Sequence, residues 1–89
     1  MKEGVRYIRR NVLQTHVGDD LILFDEARGV YLSTRGVGAA IWKHLSEPLT
    51  FEELCGRLMA EYTVAEAECA ADTRAFLDSL LEAGIVQPE

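Results

Sequence analysis

The hydrophobic pattern of the chain changes its period near residue 35, and this change limits the possible folds more than any other feature of the sequence. Up to Thr34 the apolar residues occur in short β-branched and aromatic runs, which are typical of strands. Beyond residue 35 they recur at spacings of three and four, which are typical of amphipathic helices. The chain has only 89 residues, and no linker, repeat or low-complexity stretch separates the two parts. The sequence therefore predicts one small α+β domain with its sheet first.

Three strands are expected between residues 11 and 34. Residues 17–20 read Val-Gly-Asp-Asp and supply a tight turn, and Gly29 closes a second polar loop. Between these turns, residues 21–24 form a continuous apolar run that is typical of a strand covered on both faces. Val30–Thr34 follows as the third strand. Because both connections are short, the three strands are expected to form an antiparallel meander.

Two helices are expected in the next thirty residues or so, with clear boundaries. The apolar residues from Val37 to Leu45 share one face of a first helix, which ends before Pro48. Thr50 and Glu53 then form a capping box, in which the Thr50 hydroxyl accepts from the Glu53 amide and the Glu53 carboxylate reaches back. The capping box marks the start of a second helix, which is expected to end near Tyr62.

A third helix is expected from about Ala65 to Ala83, with Gly84 as its left-handed C-cap. A three-stranded sheet followed by three helices, the last two tightly joined, is the plan of a winged helix-turn-helix fold. DNA binding is the commonest use of that plan. However, the third helix carries five acidic residues against Arg74 alone, so a DNA-binding regulator is the least favoured alternative.

Charge is divided unevenly along the chain. Residues 1–18 carry four Lys or Arg against one Glu, whereas residues 19–89 carry five against fourteen acidic residues. The acidic body would repel the phosphates of nucleic acids, so no nucleic-acid partner is expected. We interpret residues 1–10 as a basic N-terminal tail and residues 11–87 as a single domain. The tail is either solvated or meets an acidic partner or the acidic body of the chain itself.

The residues that could carry chemistry form no recognisable catalytic set. His16 and His44 fall on different elements without a fixed partner in the sequence, and His44 is expected to be solvated near a helix end. Cys55 and Cys69 fall on different helices and are expected to be small core residues. We therefore expect no catalytic residue, no metal site, no cofactor and no enzymatic activity.

Two cysteines are too few for a disulfide framework or a four-thiolate zinc site, which favours a reduced cytoplasmic protein. No apolar run approaches the length of a membrane span, and the first residues contain no apolar signal region. Neither a membrane partner nor a targeting segment is expected.

Three motifs occur in order at fixed spacing: Gly38-x-x-Ile41-Trp42, Thr50-x-x-Glu53-Leu54 and Phe76-Leu77-x-x-Leu80-x-x-x-Gly84. The series resembles that of the PqqD-like peptide chaperones, also called precursor-peptide recognition elements of ribosomally made, post-translationally modified peptides. The resemblance covers residues 12–86. The strand-turn-strand segment from Leu23 to Tyr31 looks most like the free-standing recognition proteins of lasso-peptide pathways.

The chain departs from the family pattern at one corner. Many relatives end the third strand with Leu-Asn, in which the Asn caps the first helix, whereas this chain has Thr34-Arg35. Because arginine is a poor N-cap, we expect Thr34 or water to cap the first helix.

The resemblance implies a binding function. Family members bind the leader segment of a precursor peptide, which joins the sheet beside the third strand and lies along the last helix. Val30–Thr34 fits this role, because the third strand of a meander is an edge and this one contains no Pro and no charged residue. The alternative is an edge that the third helix covers.

On the third helix, the flank beside the apolar stripe is expected to face the ligand. Ala75 and Ser79 are small residues that leave room for a peptide side chain, and Asp72 either accepts a hydrogen bond or is merely solvated. The predicted peptide-binding residues are therefore Val30, Tyr31, Leu32, Ser33, Thr34, Asp72, Ala75, Phe76 and Ser79.

The partners that the resemblance implies are the leader region of a precursor peptide, a separate cysteine-protease-like leader peptidase and an asparagine-synthetase-like cyclase. Two alternatives stay open at this point. The first is a protein–protein adaptor of the same fold with a different peptide client. The second, less favoured, is a transcription regulator or an unrecognised enzyme.

Overall fold

A computed structural model describes residues 4–89 of the chain. Its elements, in chain order, are β1 (Arg6–Arg9), β2 (Leu13–Val17), β3 (Asp20–Asp25), β4 (Val30–Thr34), α1 (Val37–His44), β5 (Leu49–Thr50), α2 (Phe51–Glu61), α3 (Glu66–Ala83) and β6 (Val86–Pro88). The predicted α+β class, with a three-stranded antiparallel sheet before three helices, is confirmed. The structure adds a second small sheet to that plan.

The first sheet is the expected antiparallel meander in the order β2-β3-β4. Its turns rely on Gly18 and Gly29, which adopt positive φ angles of 62° and 68°. In the register of the sheet, Leu23 of β3 lies opposite Gln14 of β2 and Leu32 of β4. The strands β2 and β4 are therefore the two edges of this sheet.

Only one face of the meander is covered. Leu21 and Leu23 on β3 are buried, whereas Ile22 is half-buried and Phe24 is exposed on the opposite face. Aligned with Phe24 on that outer face is Tyr31, which is 65% exposed. The expectation that residues 21–24 are covered on both faces is therefore wrong, because the apolar core lies on only one side of the sheet.

A second sheet, in the order β5-β1-β6, joins distant parts of the chain. The strand β1 is its centre and pairs antiparallel with both β5 and β6. Residues 6–9, which the charge pattern assigns to a basic tail, are thus an ordered strand with Tyr7 packed against the core. Because Arg6 and Arg9 flank Tyr7 and Ile8, the charge pattern indicated a basic segment and not a half-buried strand.

Of the three helix caps expected from the sequence, two are present. The capping box that starts α2 is present, and α3 ends at Gly84 with φ 77°. Beyond Gly84, the Ile85 N–H donates to the Leu80 carbonyl at 3.1 Å, which closes the helix as expected. By contrast, α1 begins after Gly36 without a side-chain cap, so Thr34 does not cap it.

The core is formed by apolar side chains of β3, the three helices, β5 and the C-terminal segment: Leu21, Leu23, Ile41, Trp42, Leu45, Leu49, Leu54, Cys55, Leu58, Cys69, Leu77, Leu80, Ile85 and Val86. Both cysteines are buried and free, as the sequence predicts. The helices thus form one layer against the inner face of the meander, and β4 stays at its edge.

The capping box of α2 should contribute measurably to stability. The Thr50 hydroxyl accepts from the Glu53 N–H at 3.0 Å. Replacing Thr50 by alanine leaves that N–H without its partner and should cost about 1 kcal/mol of unfolding free energy. Chemical denaturation of both proteins measures the difference. Thr63→Ala, an exposed position outside the helices, should change stability by less than about 0.5 kcal/mol; equal losses would contradict the capping role.

The carboxylate of the same box has a pH-dependent role. Its hydrogen bond from the Thr50 backbone N–H, at 2.9 Å, lowers the pKa of Glu53 below the ordinary value of 4.5. Because the pKa is lower in the folded than in the unfolded chain, the ionised Glu53 carboxylate stabilises the fold, and this stabilisation is complete above pH 4.5. It is lost as the pH falls through the folded-state pKa.

Candidate functional site

The exposed strand edge on β4 is the first component of the site. Tyr31 and Ser33 are exposed on the outer face of the sheet, whereas Val30, Leu32 and Thr34 are half-buried on the inner face. As the terminal strand of the sheet, β4 offers unpaired backbone groups along one side. The side chains of this strand carry no charge that would oppose the approach of another strand.

The helix α3 supplies the second component. Thr73, Leu77 and Leu80 are fully buried and fix the inward face of the helix. The residues predicted for the ligand-facing flank, Asp72, Ala75 and Ser79, are exposed. Phe76 is half-buried and packs against the edge of the core. It therefore lies at the border between the buried face and the exposed flank of α3.

At one end, β4 and α3 converge on Gly38 of α1. A Cβ atom at Gly38 would overlap the Thr34 hydroxyl of β4 and would lie 3.2 Å from Cζ of Phe76. Only a residue without a side chain therefore permits this approach. The Gly38 position of the Gly-x-x-Ile-Trp motif thus fixes how closely the strand, α1 and α3 come together.

At the other end, two arginines connect the sheet to the C-terminus of α3. The guanidinium of Arg28, in the loop before β4, lies directly over Gly84. Arg10 donates to the Gly84 carbonyl at 2.9 Å and lies 3.5 Å from Oδ2 of the buried Asp25. The cations also meet the negative end of the helix dipole. Asp25, opposite Val30 in the sheet, thus ties the start of β4 to the end of α3.

Between these two ends, β4 and α3 are not packed closely against each other. We call the region between the edge of β4 and the exposed flank of α3 the β4–α3 groove. Arg74 on α3 faces away from it, because its guanidinium lies 4.3 Å from the ring centre of Phe51 on α2. An uncharged edge strand of this kind can pair with an extended chain through its backbone groups.

The other candidate reactive residues have structural roles. The Nε2 atom of His44 lies 2.9 Å from Oε1 of Glu61, so His44 is half-buried and paired instead of solvated as expected. Burial raises the pKa of the Cys55 thiol, which lowers its reactivity. Cys69 lies beside it, with Sγ 3.9 Å from the Cys55 carbonyl. Within residues 4–89, no group of three or more His, Cys, Asp or Glu side chains could hold a metal ion.

The helices of the described chain include none with the length and apolar character needed to cross a membrane.

Several contacts of the groove have no signal in the sequence that identifies them. The Arg28–Gly84 contact and the Arg10–Asp25 pair join positions that are remote along the chain. Gly38 is visible as part of a motif, but its contact with Phe76 depends on how the helices pack.

Comparisons with known proteins identify the family of the chain. A family model described as "Coenzyme PQQ synthesis protein D (PqqD)" matches residues 20–86, most of the chain. No curated protein matches the sequence significantly.

Two solved structures are similar to this chain. The structure described as "TbiB1 in Complex with the TbiA(beta) Leader Peptide" has a TM-score of 0.77 and 28% sequence identity, and the match covers 90% of this chain and 94% of that one. The structure described as "Lasso peptide synthetase B1 complexed with the leader peptide" has a TM-score of 0.76, with 92% and 98% covered. At 23% identity, the second structure supports the fold alone. Because the PqqD family model matches residues 20–86, which is most of the chain, the chain belongs to the PqqD family.

Proposed function

We propose that this protein binds the leader segment of a ribosomally made precursor peptide and leaves it chemically unchanged. The leader would add as a strand to β4 and lie against the exposed flank of α3. The observation that carries the proposal is the uncharged edge of β4, which is connected to α3 near both of its ends. The likeness to TbiB1 in complex with a leader peptide supports it.

Backbone pairing would supply affinity, and side chains on both walls would supply selectivity. Ala75 and Ser79 leave space on the helix flank for a large apolar side chain of the leader. The Ser79 hydroxyl donates to the Ala75 carbonyl at 3.2 Å, so it bonds to its own helix. Asp72 is the exposed carboxylate of this flank and would pair with a basic or hydroxyl group of the leader.

The function of such a protein is to present the precursor to separate enzymes. In a lasso-peptide pathway these would be a cysteine-protease-like leader peptidase and an asparagine-synthetase-like cyclase. The protein would work in the cytoplasm, where its two buried free thiols remain reduced.

Hydrogen exchange tests the proposed mode of binding. Adding a synthetic leader segment of a candidate precursor peptide should slow amide exchange at alternate residues of Val30–Thr34, because every second N–H of an edge strand points outward. Exchange in β2 at the opposite edge should stay unchanged. Protection at β2 without protection at β4 would contradict the proposal.

The mass of the precursor, followed in the same sample, tests the absence of catalysis. It should stay constant with this protein alone. Cleavage, dehydration or cyclisation without another protein present would show an enzyme and not a recognition module.

A further inference from the structure

A separate cleft lies at the opposite edge of the meander, between the inner face of β2 and the helix α1. Its volume is about 790 Å³, within the range of known ligand sites. Its lining includes Arg9, Gln14, Trp42 and Lys43. No residue predicted for the β4–α3 groove lines this cleft, so the two sites are separate.

Trp42 fixes the polar groups of this cleft in position. Its indole N–H donates to Oε1 of Gln14 at 2.9 Å. The guanidinium carbon of Arg9 lies 5.1 Å from the centre of the Trp42 ring, and Arg9 also donates to the Trp42 carbonyl at 3.2 Å. The Gln14 amide and the Arg9 guanidinium are therefore held in place by contacts within the protein and need little ordering when a ligand binds.

The cleft is positively charged within an acidic protein. Arg9 and Lys43 line it as cations. The carboxylate in the lining, Glu61, is bound to His44 at 2.9 Å. The chain as a whole has a formal net charge of −6. The local excess of cations selects an anionic ligand.

The neighbouring strand edge selects the kind of anion. All five residues of β2 are exposed, and none is Pro, Asp, Glu, Lys or Arg. Like β4, β2 is a terminal strand of its sheet and can pair with another extended backbone. A peptide can use this backbone pairing, whereas a nucleic acid cannot, and the acidic body would repel a longer nucleic acid.

We propose that the β2–α1 cleft binds an acidic, extended segment of a protein partner. The segment pairs with β2 and directs its carboxylates toward Arg9 and Lys43. This site goes beyond leader recognition and does not depend on it. The protein then binds one peptide at each edge of the same three-stranded sheet, which suits a module that connects a substrate to a second protein.

Trp42 is the only tryptophan of the chain and reports on the cleft directly. The probe is an acetylated heptapeptide of alternating Glu and Val, and its counterpart carries Lys in place of Glu. The acidic peptide should change the Trp42 emission saturably at about 0.1 M salt, and added salt should weaken the binding. The Lys peptide should produce no saturable change.

Charge reversal in the cleft provides the decisive comparison. Lys43→Glu, at an exposed position of α1, should weaken binding of the acidic peptide about tenfold. Arg57→Glu is the matched control, because it changes the net charge equally on α2, outside the cleft. It should weaken binding less than about twofold, because salt screens distant charges.

Four results would overturn the proposal. The first is no saturable response to the acidic peptide, and the second is an equal loss in both charge reversals. The third is loss of acidic-peptide binding in Ala75→Arg, which would place the peptide in the β4–α3 groove. The fourth is a protein dimer that Lys43→Glu dissociates, which would show that a second copy occupies the cleft. Leader binding is measured separately, and its result does not depend on the result for the β2–α1 cleft.

Discussion

Replacing Ala75 by arginine should weaken leader binding about thirtyfold, which corresponds to about 2 kcal/mol. Ala75 is exposed on α3 beside the half-buried Phe76, on the flank that faces the β4–α3 groove in our proposal. The longer side chain would fill the space intended for a leader side chain. The guanidinium would also have to be desolvated when the leader approaches, which costs binding free energy. Fluorescence anisotropy with a labelled leader peptide measures the affinity.

The stability of this variant should hardly change, because a substitution at an exposed position usually lowers the unfolding free energy by no more than about 0.5 kcal/mol. Ala60→Arg on α2 is the matched control, since it makes the same substitution at an exposed helical position away from the groove. It should keep the parent affinity. If Ala75→Arg binds as tightly as the parent, the groove lies elsewhere. If its thermal melt shows loss of the fold, Ala75 belongs to the core.

The parts of this fold that were predictable are those with local signals. The meander follows from two turns with Gly18 and Gly29 and from short apolar strands between them. The helices follow from apolar spacing and from caps that lie within a few residues of one another. The α2 capping box and the Gly84 cap were both confirmed because each depends on contacts three to five residues apart.

The second sheet was missed because its pairing is not local. Residues 6–9 pair with Leu49–Thr50 and with Val86–Pro88, far along the chain. The strands β5 and β6 contain only two and three residues, too few to show a period of two. The positive charges of residues 1–10 suggested a solvated tail, although the Arg9 and Arg10 side chains instead lie against Trp42 and Gly84.

Of the proposed site, only the two walls can be predicted from the sequence. An uncharged edge strand and an exposed helix flank can be inferred from residue type and helical phase, and the structure places Asp72, Ala75 and Ser79 on such a flank. The connections that hold the walls together depend on the tertiary fold. The same is true of the β2–α1 cleft, where Trp42 brings Gln14 and Arg9 together from separate strands.

Gly38→Leu should reduce both stability and leader affinity, because Gly38 lies where β4, α1 and α3 converge. The new side chain would enter the space next to the Thr34 hydroxyl and the ring of Phe76. Such overpacking should lower the unfolding free energy by about 2 kcal/mol. In a domain of this size that corresponds to a melting temperature about 10 °C lower. Leader affinity should fall as well, since Thr34 and Phe76 form one end of the groove.

The second helix offers a glycine in the opposite situation. A Cβ atom at Gly56 in α2 would meet no atom within 4 Å. Gly56→Leu should therefore gain up to about 0.8 kcal/mol from helix propensity and leave leader affinity unchanged. The same substitution thus has opposite signs at two helical glycines, because only one of them lies at a helix–strand contact. If Gly38→Leu is as stable as Gly56→Leu, close approach of β4 to α1 does not set the geometry of the groove.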